Sequence, residues 1–322
     1  MRISRIVLAA ALGGALATPA LAEDKMKTVA ITAIVEHPAL DATRDGVVAA
    51  LKEAGFTPGE TLTVSYQSAQ GNPATAAQIA RKFVGEGPDV IVPISTPSAQ
   101  AVVAATRDVP VVFTAVTDPV GAQLVRSMEK PGGNVTGLSD MAPVGEHVAL
   151  IGEILPNAKR LGIVYNPGEP NSVTMVKAFK DEAAKKGLSV VEATATKSAD
   201  VQAAGRSLVG KADAIYVPLD NTVVSALEAL VQVGAQSDLP VFSADTDSVE
   251  RGTAASLGFD YFELGKQTGA VVARVLKGEK PADIPVRVAS GTNLVVNPKA
   301  AESMGFAIPK SVMDRATKVV GK

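Results

Sequence analysis

The sequence predicts an α/β protein made of two lobes, each holding a parallel sheet covered by helices. Short β-rich runs alternate with helical patterns along nearly the whole chain, the signature of βαβ units. One such unit recurs. Asp89-Val-Ile-Val-Pro-Ile-Ser-Thr-Pro-Ser-Ala, a helix and Val109-Pro-Val-Val-Phe are echoed by Asp213-Ala-Ile-Tyr-Val-Pro-Leu-Asp-Asn-Thr, a helix and Leu239-Pro-Val-Phe-Ser. The repeat is too long for a solenoid and too divergent for a recent duplication, and two similar lobes explain it best. The length agrees, since about 300 residues beyond the leader suffice for two compact lobes.

In order, residues Thr28 to Val35 read as a buried strand, and Asp41 to Ala54 as an amphipathic helix stopped by Gly55. Leu62 to Tyr66 is the next strand, and Pro73 to Val84 a helix with proline near its start. Asp89 to Ile94 is a strand, Pro97 to Thr106 a helix, and Val109 to Phe113 a strand; the alternation resumes from Val144 to Leu257. Ligands of open parallel sheets sit beyond the carboxyl ends of the strands. Those ends are polar here: Ser95-Thr96, Thr117-Asp118, Asn166, Asp220-Asn221 and Ser243 to Asp247. Two lobes facing one another would bring them to one cleft.

The chain starts with Arg2 and Arg5, an apolar run from Ile6 to Leu16, and Ala20-Leu21-Ala22 with small residues where a signal peptidase reads. This is the pattern of a cleaved export signal, its core too short for a permanent anchor. The mature protein is expected to start at Glu23 in the periplasm. A net charge of −2 with no Lys/Arg cluster gives little support for nucleic-acid binding. The absence of cysteine removes disulfides, thiolate nucleophiles and Cys-based metal sites together.

Several motifs in fixed order carry a family resemblance: Gly71-Asn-Pro-Ala-Thr, Ser95-Thr-Pro-Ser-Ala, Thr117-Asp-Pro-Val-Gly, Pro131-Gly-Gly-Asn-Val-Thr-Gly, Tyr165-Asn-Pro-Gly-Glu-Pro-Asn-Ser, Pro218-Leu-Asp-Asn-Thr and Asp260-Tyr-Phe-Glu-Leu-Gly. The chain, from Ile34-Val-Glu-His-Pro-Ala-Leu-Asp to Phe306-Ala-Ile-Pro, resembles ABC-transporter substrate-binding proteins of the type that includes tryptophan and tyrosine binders. The resemblance implies a type I periplasmic-binding fold, two Rossmann-like lobes joined by a three-strand hinge. It places crossings near Thr136 to Met141, Ala255 to Asp260 and Val295 to Lys299. One lobe would then hold residues 23–138 with 260–295, and the other 139–259 with 296–322. It further implies lobe closure around a small ligand, a membrane permease as partner, a monomer and no cofactor.

The candidate ligand groups follow from side-chain chemistry. Ser95, Thr96 and Ser98 at a strand-to-helix turn could meet a carboxylate at the positive helix end, or simply cap that helix. Asn171 and Ser172 have the same two readings in the other lobe. Asp220 and Asn221 could hold an ammonium by a charge-assisted bond, or act as an N-cap. Asp245, Glu169 and Asp118 are further acids of this kind, Asp118-Pro119 also reading as a plain turn. Asn166 ends a strand at the same level, and His37 lies at the cleft mouth. His147 is expected to be solvated, and Tyr165, Tyr216 and Tyr261 to be core or pocket wall. An enzyme is disfavoured because there is no His-x-x-x-His pair, nucleophile elbow or phosphate loop. Sugar clefts stack rings on aromatics, and aromatics are 4% here with no tryptophan. An amino acid is therefore the expected ligand, a sugar or a receptor-coupled sensor role the alternative.

Overall fold

A computed structural model describes residues 26–321. The leader read at residues 1–22 and its cleavage point lie outside the described residues.

The chain opens with β1 (Lys27–Ala33), α1 (Pro38–Glu53), β2 (Leu62–Ser68), α2 (Pro73–Glu86), β3 (Val90–Ile94), α3 (Thr96–Ala105), β4 (Val111–Val116) and β5 (Val135–Ser139). A second series follows: α4 (Val144–Ile154), β6 (Arg160–Tyr165), α5 (Pro170–Lys185), β7 (Ser189–Thr194), α6 (Val201–Arg206), β8 (Ala214–Val217), α7 (Asn221–Val224), α8 (Leu227–Gln236), β9 (Val241–Ser243) and α9 (Asp247–Glu250). The chain ends with β10 (Ala255–Phe259), α10 (Tyr261–Leu276), β11 (Arg287–Val288), β12 (Thr292–Val296), α11 (Pro298–Ser303), α12 (Lys310–Met313) and β13 (Lys318–Val319). Helix α1 begins three residues before the expected Asp41, because His37 is extended and Pro38 supplies a helical φ at the first position.

The first sheet runs β11-β5-β4-β3-β1-β2 and the second β7-β6-β8-β9, with every pairing in both parallel. The two orders superimpose: β6, β7, β8 and β9 occupy the places of β1, β2, β3 and β4. The repeated unit seen in the sequence is therefore β3-α3-β4 in one lobe and β8 to β9 in the other. Even the acid that starts each repeat has one job. Asp89 accepts the backbone N–H of Thr28 (2.8 Å) and Asp213 those of Lys159 and Arg160 (2.8 and 2.9 Å), so each ties its strand to the central neighbour. Strands β3 and β4 are buried at every residue, as the continuous apolar runs require in a sheet covered on both faces.

The chain leaves the first sheet after β5 and returns after β10, where α10 packs along α1. It leaves again between β11, which pairs with β5, and β12, which pairs antiparallel with β10. That last passage falls at residues 289–291, ahead of the expected Val295 to Lys299, and Ser139 and Asp140, expected in the other lobe, are held in the first one by Thr117 and Tyr261. The α1–α10 contact is made backbone to backbone. A Cβ on Gly46 would run into the carbonyl of Phe262, and one on Gly265 into that of Thr43. Only glycine permits this approach.

His147 is not solvated. It is 3% exposed, its Nδ1 accepts from the Tyr216 hydroxyl (2.7 Å), and its Nε2–H donates to the carbonyl of Leu257 in β10. Carbonyl oxygens only accept, which puts the proton on Nε2. The helical pattern around position 147 hid this, since α4 turns that face toward β10. Tyr216 is core, stacked on Phe179 at 4.2 Å, and Tyr165 bonds Glu192 at the lobe edge.

Candidate functional site

The carboxyl ends of β3, β4, β5, β8 and β9 meet at one cleft between the sheets. An inner chamber is lined from the first lobe by His37, Leu40, Thr117, Asp140 and Tyr261, and from the second by Asn171, Asp220, Asn221 and Asp245. An outer chamber of about 400 Å³ shares Asn221 and is walled by Ile34, Val35, Pro73 and Pro97 opposite Asn166, Glu169 and Thr222. Among the described residues, no lysine or arginine lines the inner chamber, and Lys197 alone lines the outer one.

Helix α3 presents its N-terminus to this cleft in an unusual way. Ser95 is the N-cap with φ at +79°, and its side chain makes no capping bond. The hydroxyls of Ser95, Thr96 and Ser98 are all buried and all lack a hydrogen-bond partner. Buried hydroxyls are normally satisfied. Plain capping therefore does not explain these three. Ala115, at the end of β4 and on the chamber wall, also has positive φ, at +51°. Strained non-glycine backbone of this kind costs about 1–3 kcal/mol and gathers at ligand sites.

The acids divide by how much of their accepting capacity the fold already uses. Glu169 is used up: it accepts from Asn171 Nδ2, from the backbone and side chain of Asn221, and from the backbone and hydroxyl of Thr222. It organises the start of α7. Asp220 caps Val223 N–H (2.8 Å) and also accepts from Asn166 N–H and the Ser172 hydroxyl, both at 2.6 Å. A carboxylate has about four lone-pair sites, so one remains. Capping and ligand contact are thus compatible at Asp220. Asp245 accepts from the backbone and the hydroxyl of Ser248, and two of its sites remain. Asp118 stands apart, lining neither chamber and closing a turn onto Gly121 N–H (2.8 Å). Asn166 bonds Thr222 and lies on the outer chamber, while Ser172 reaches the site only through Asp220. Asn171 donates to the Leu219 carbonyl and leaves its buried Oδ1 free, and His37 Nδ1 is likewise unpartnered.

Asp140 is the residue missing from the expected set. It follows β5, is 3% exposed, and accepts from the Thr117 hydroxyl (3.1 Å) and the Tyr261 hydroxyl (3.0 Å). The strand-end rule that selected the other acids applies to it equally; reading residues 136–141 only as a crossing concealed it. Burial raises its pKa to about 6, and the charge of Asp245 adds to the rise. Burial also raises Asp220, with Glu169 adding to it, and Asp245. Burial, aided by the charge of Arg251, lowers His37 to about 3, so its imidazole is neutral. The inner chamber is thus an acid-lined space with no lysine or arginine among its walls, a place suited to a ligand ammonium.

Residues 28–320 match the family of ABC transporter substrate binding proteins. A tyrosine-binding protein from Clostridioides difficile is 41% identical over 273 residues, covering 85% of this chain and 79% of the relative. Among solved structures, the ABC domain of a Streptococcus pneumoniae protein in complex with L-Trp is 38% identical, covers 91% of this chain and 99% of its own, and aligns with a TM-score of 0.88. The ligand-free, open structure of a substrate-binding protein with adhesive properties from Clostridium difficile is 42% identical, covers 92% and 100%, and aligns at 0.69. The strand-end cleft, the doubled sheet and these matches together make this chain a member of the ABC transporter substrate-binding protein family, with the type I periplasmic-binding fold.

Proposed function

We propose that this protein is the periplasmic solute-binding component of an ABC importer, and that its ligand is an aromatic L-amino acid of the tyrosine or tryptophan kind. The observation that carries the reading is the polarity of the cleft. Three buried hydroxyls without partners sit at the N-terminus of α3, whose Pro97 walls the outer chamber, and the inner chamber is lined by Asp140, Asp220 and Asp245 with no lysine or arginine among its walls. The first group suits a carboxylate and the second an ammonium. A zwitterion satisfies both, whereas a sugar would leave the acids without a counter-charge. The outer chamber, with its walls of Ile34, Val35, Pro73 and Pro97, suits an aromatic side chain.

The lobe arrangement supports capture by closure. Two relatives of nearly equal identity align very differently, the L-Trp complex at 0.88 and the ligand-free, open one at 0.69. The present cleft therefore resembles the occupied state. Closure would turn on the three chain passages between the sheets, and a monomer would deliver its ligand to a membrane permease. Export by the leader predicts a mature mass starting at Glu23; a periplasmic protein retaining residues 1–22 would refute that assignment.

The ligand test is thermal unfolding of protein that has been denatured, dialysed and refolded to strip carried-over solute. A ligand at a hundredfold excess over its Kd stabilises by about 2.7 kcal/mol, which at this chain length is roughly 4 °C in Tm. L-Tyrosine or L-tryptophan is expected to give this shift while sugars give none. A sugar shift with silent amino acids would overturn the reading.

A further inference from the structure

We propose that Asp140 and Asp245 are opposing jaws that grip the ligand ammonium, one from each lobe, so that a cation between them is what allows the cleft to close. This rests on the amino-acid reading above and deepens it: the ammonium, rather than the carboxylate, drives closure.

The geometry is specific. Asp140 follows the last residue of β5, where the chain leaves the first lobe, and its Oδ2 accepts from Tyr261, the first residue of α10, where the chain comes back. It is thus fixed to two of the three passages that must bend. Asp245 follows β9 in the other lobe and is fixed to Ser248. Both are 3% exposed and both line the inner chamber. All their hydrogen bonds are to groups of their own surroundings: Thr117 and Tyr261 for Asp140, Ser248 for Asp245. No basic side chain lines the space they share, and the nearby Arg251 is engaged with Glu228 and the carbonyl of Val224. In an open cleft water screens the two carboxylates. Closing an empty cleft buries like charges against each other, which the low interior dielectric makes costly. An ammonium reverses the sign of that interaction, and each acid has two accepting sites left to receive it.

The test is small-angle scattering of refolded, ligand-free protein, with the radius of gyration as the readout of closure. Asp245→Asn and Asp140→Asn each remove one charge at constant shape. Both should fold, because Ser248, Thr117 and Tyr261 meet the acids through hydroxyls that can turn to accept from the new amide, while Asn keeps an oxygen for Ser248 N–H. Either variant is expected to be more compact than the wild type without ligand, and to bind L-tryptophan more weakly. On the wild type, tryptamine, which has the ammonium but no carboxylate, is expected to compact the protein as L-tryptophan does. Indole-3-propionate, with the carboxylate alone, is expected to leave it open even in large excess. Ligand-free variants as extended as the wild type, or compaction by indole-3-propionate, would overturn the proposal. Should neither tyrosine nor tryptophan compact the wild type, the amino-acid reading fails, and the ligand-free comparison still decides the role of the acid pair.

Discussion

Ser98→Ala separates a ligand hydroxyl from a structural one. Ser98 is 1% exposed, lies in the first turn of α3, and its hydroxyl has no partner within the protein. A capping hydroxyl would cost about 0.5–2 kcal/mol of stability when removed. An unpartnered one does the opposite. Leaving a buried hydroxyl unsatisfied costs about 1–3 kcal/mol, so its removal should leave ligand-free stability unchanged or raise it by up to about 1 kcal/mol once the lost volume is set against the gain. With ligand bound, the same oxygen would donate to a carboxylate, and hydrogen bonds to charged groups contribute about 1.5–3 kcal/mol. Affinity should therefore fall roughly ten- to hundredfold. Urea unfolding of refolded protein measures the first quantity and titration calorimetry with L-tyrosine or L-tryptophan the second. A loss of ligand-free stability beyond about 1 kcal/mol, or an unchanged affinity in a folded variant, would refute the assignment of Ser98 to the ligand.

Gly265→Ala should destabilise by about 1–3 kcal/mol despite alanine's better helix propensity, because the new Cβ meets backbone atoms of Thr43 and Gly46 that cannot yield without parting the helices. Gly152→Ala, where nothing lies within 4 Å, is the control and should be neutral or stabilising in the same urea assay. Burial lowers the pKa of His147 from 6.5 to about 4. Its contribution is therefore complete above pH 6.5 and fades as the pH falls toward 4, an effect of about 3 kcal/mol. The stability advantage of wild type over His147→Gln should shrink across that window, and an advantage that grew on acidification would contradict the neutral, buried imidazole. Asp118→Asn keeps the bond to Gly121 and touches neither chamber, so affinity should not change; a tenfold loss would bring Asp118 back into the site.

Much of this protein could be read from its sequence because each lobe obeys short-range rules. Continuous apolar runs marked β3 and β4, and the Asp89 and Asp213 repeats marked the same strand position twice. The strand-end rule pointed to Asp220 and Asp245, which line the inner chamber, and to Ser95, which lines neither. What escaped depends on contacts distant in sequence. Asp140 becomes a pocket acid only when Tyr261, 121 residues later, reaches its carboxylate. His147 is buried only because β10 passes its helix, 110 residues on. Glu169 read as a free acid, yet the turn of α7 consumes its oxygens. The glycines of α1 and α10 show no local pattern that announces their meeting.

That meeting sets an order for assembly on the ribosome. The second lobe draws β6 to β9 from one continuous stretch and can gather most of its core once that stretch emerges, Met304 joining later. The first lobe cannot. Helix α1 covers its sheet together with α10, and β5 waits for β11 as its outer neighbour, so the segment synthesised first is completed nearly last. Contacts of such separation are slow to form because a long loop must close before they repay it. The first lobe is thereby left incomplete while the rest of the chain is still being made.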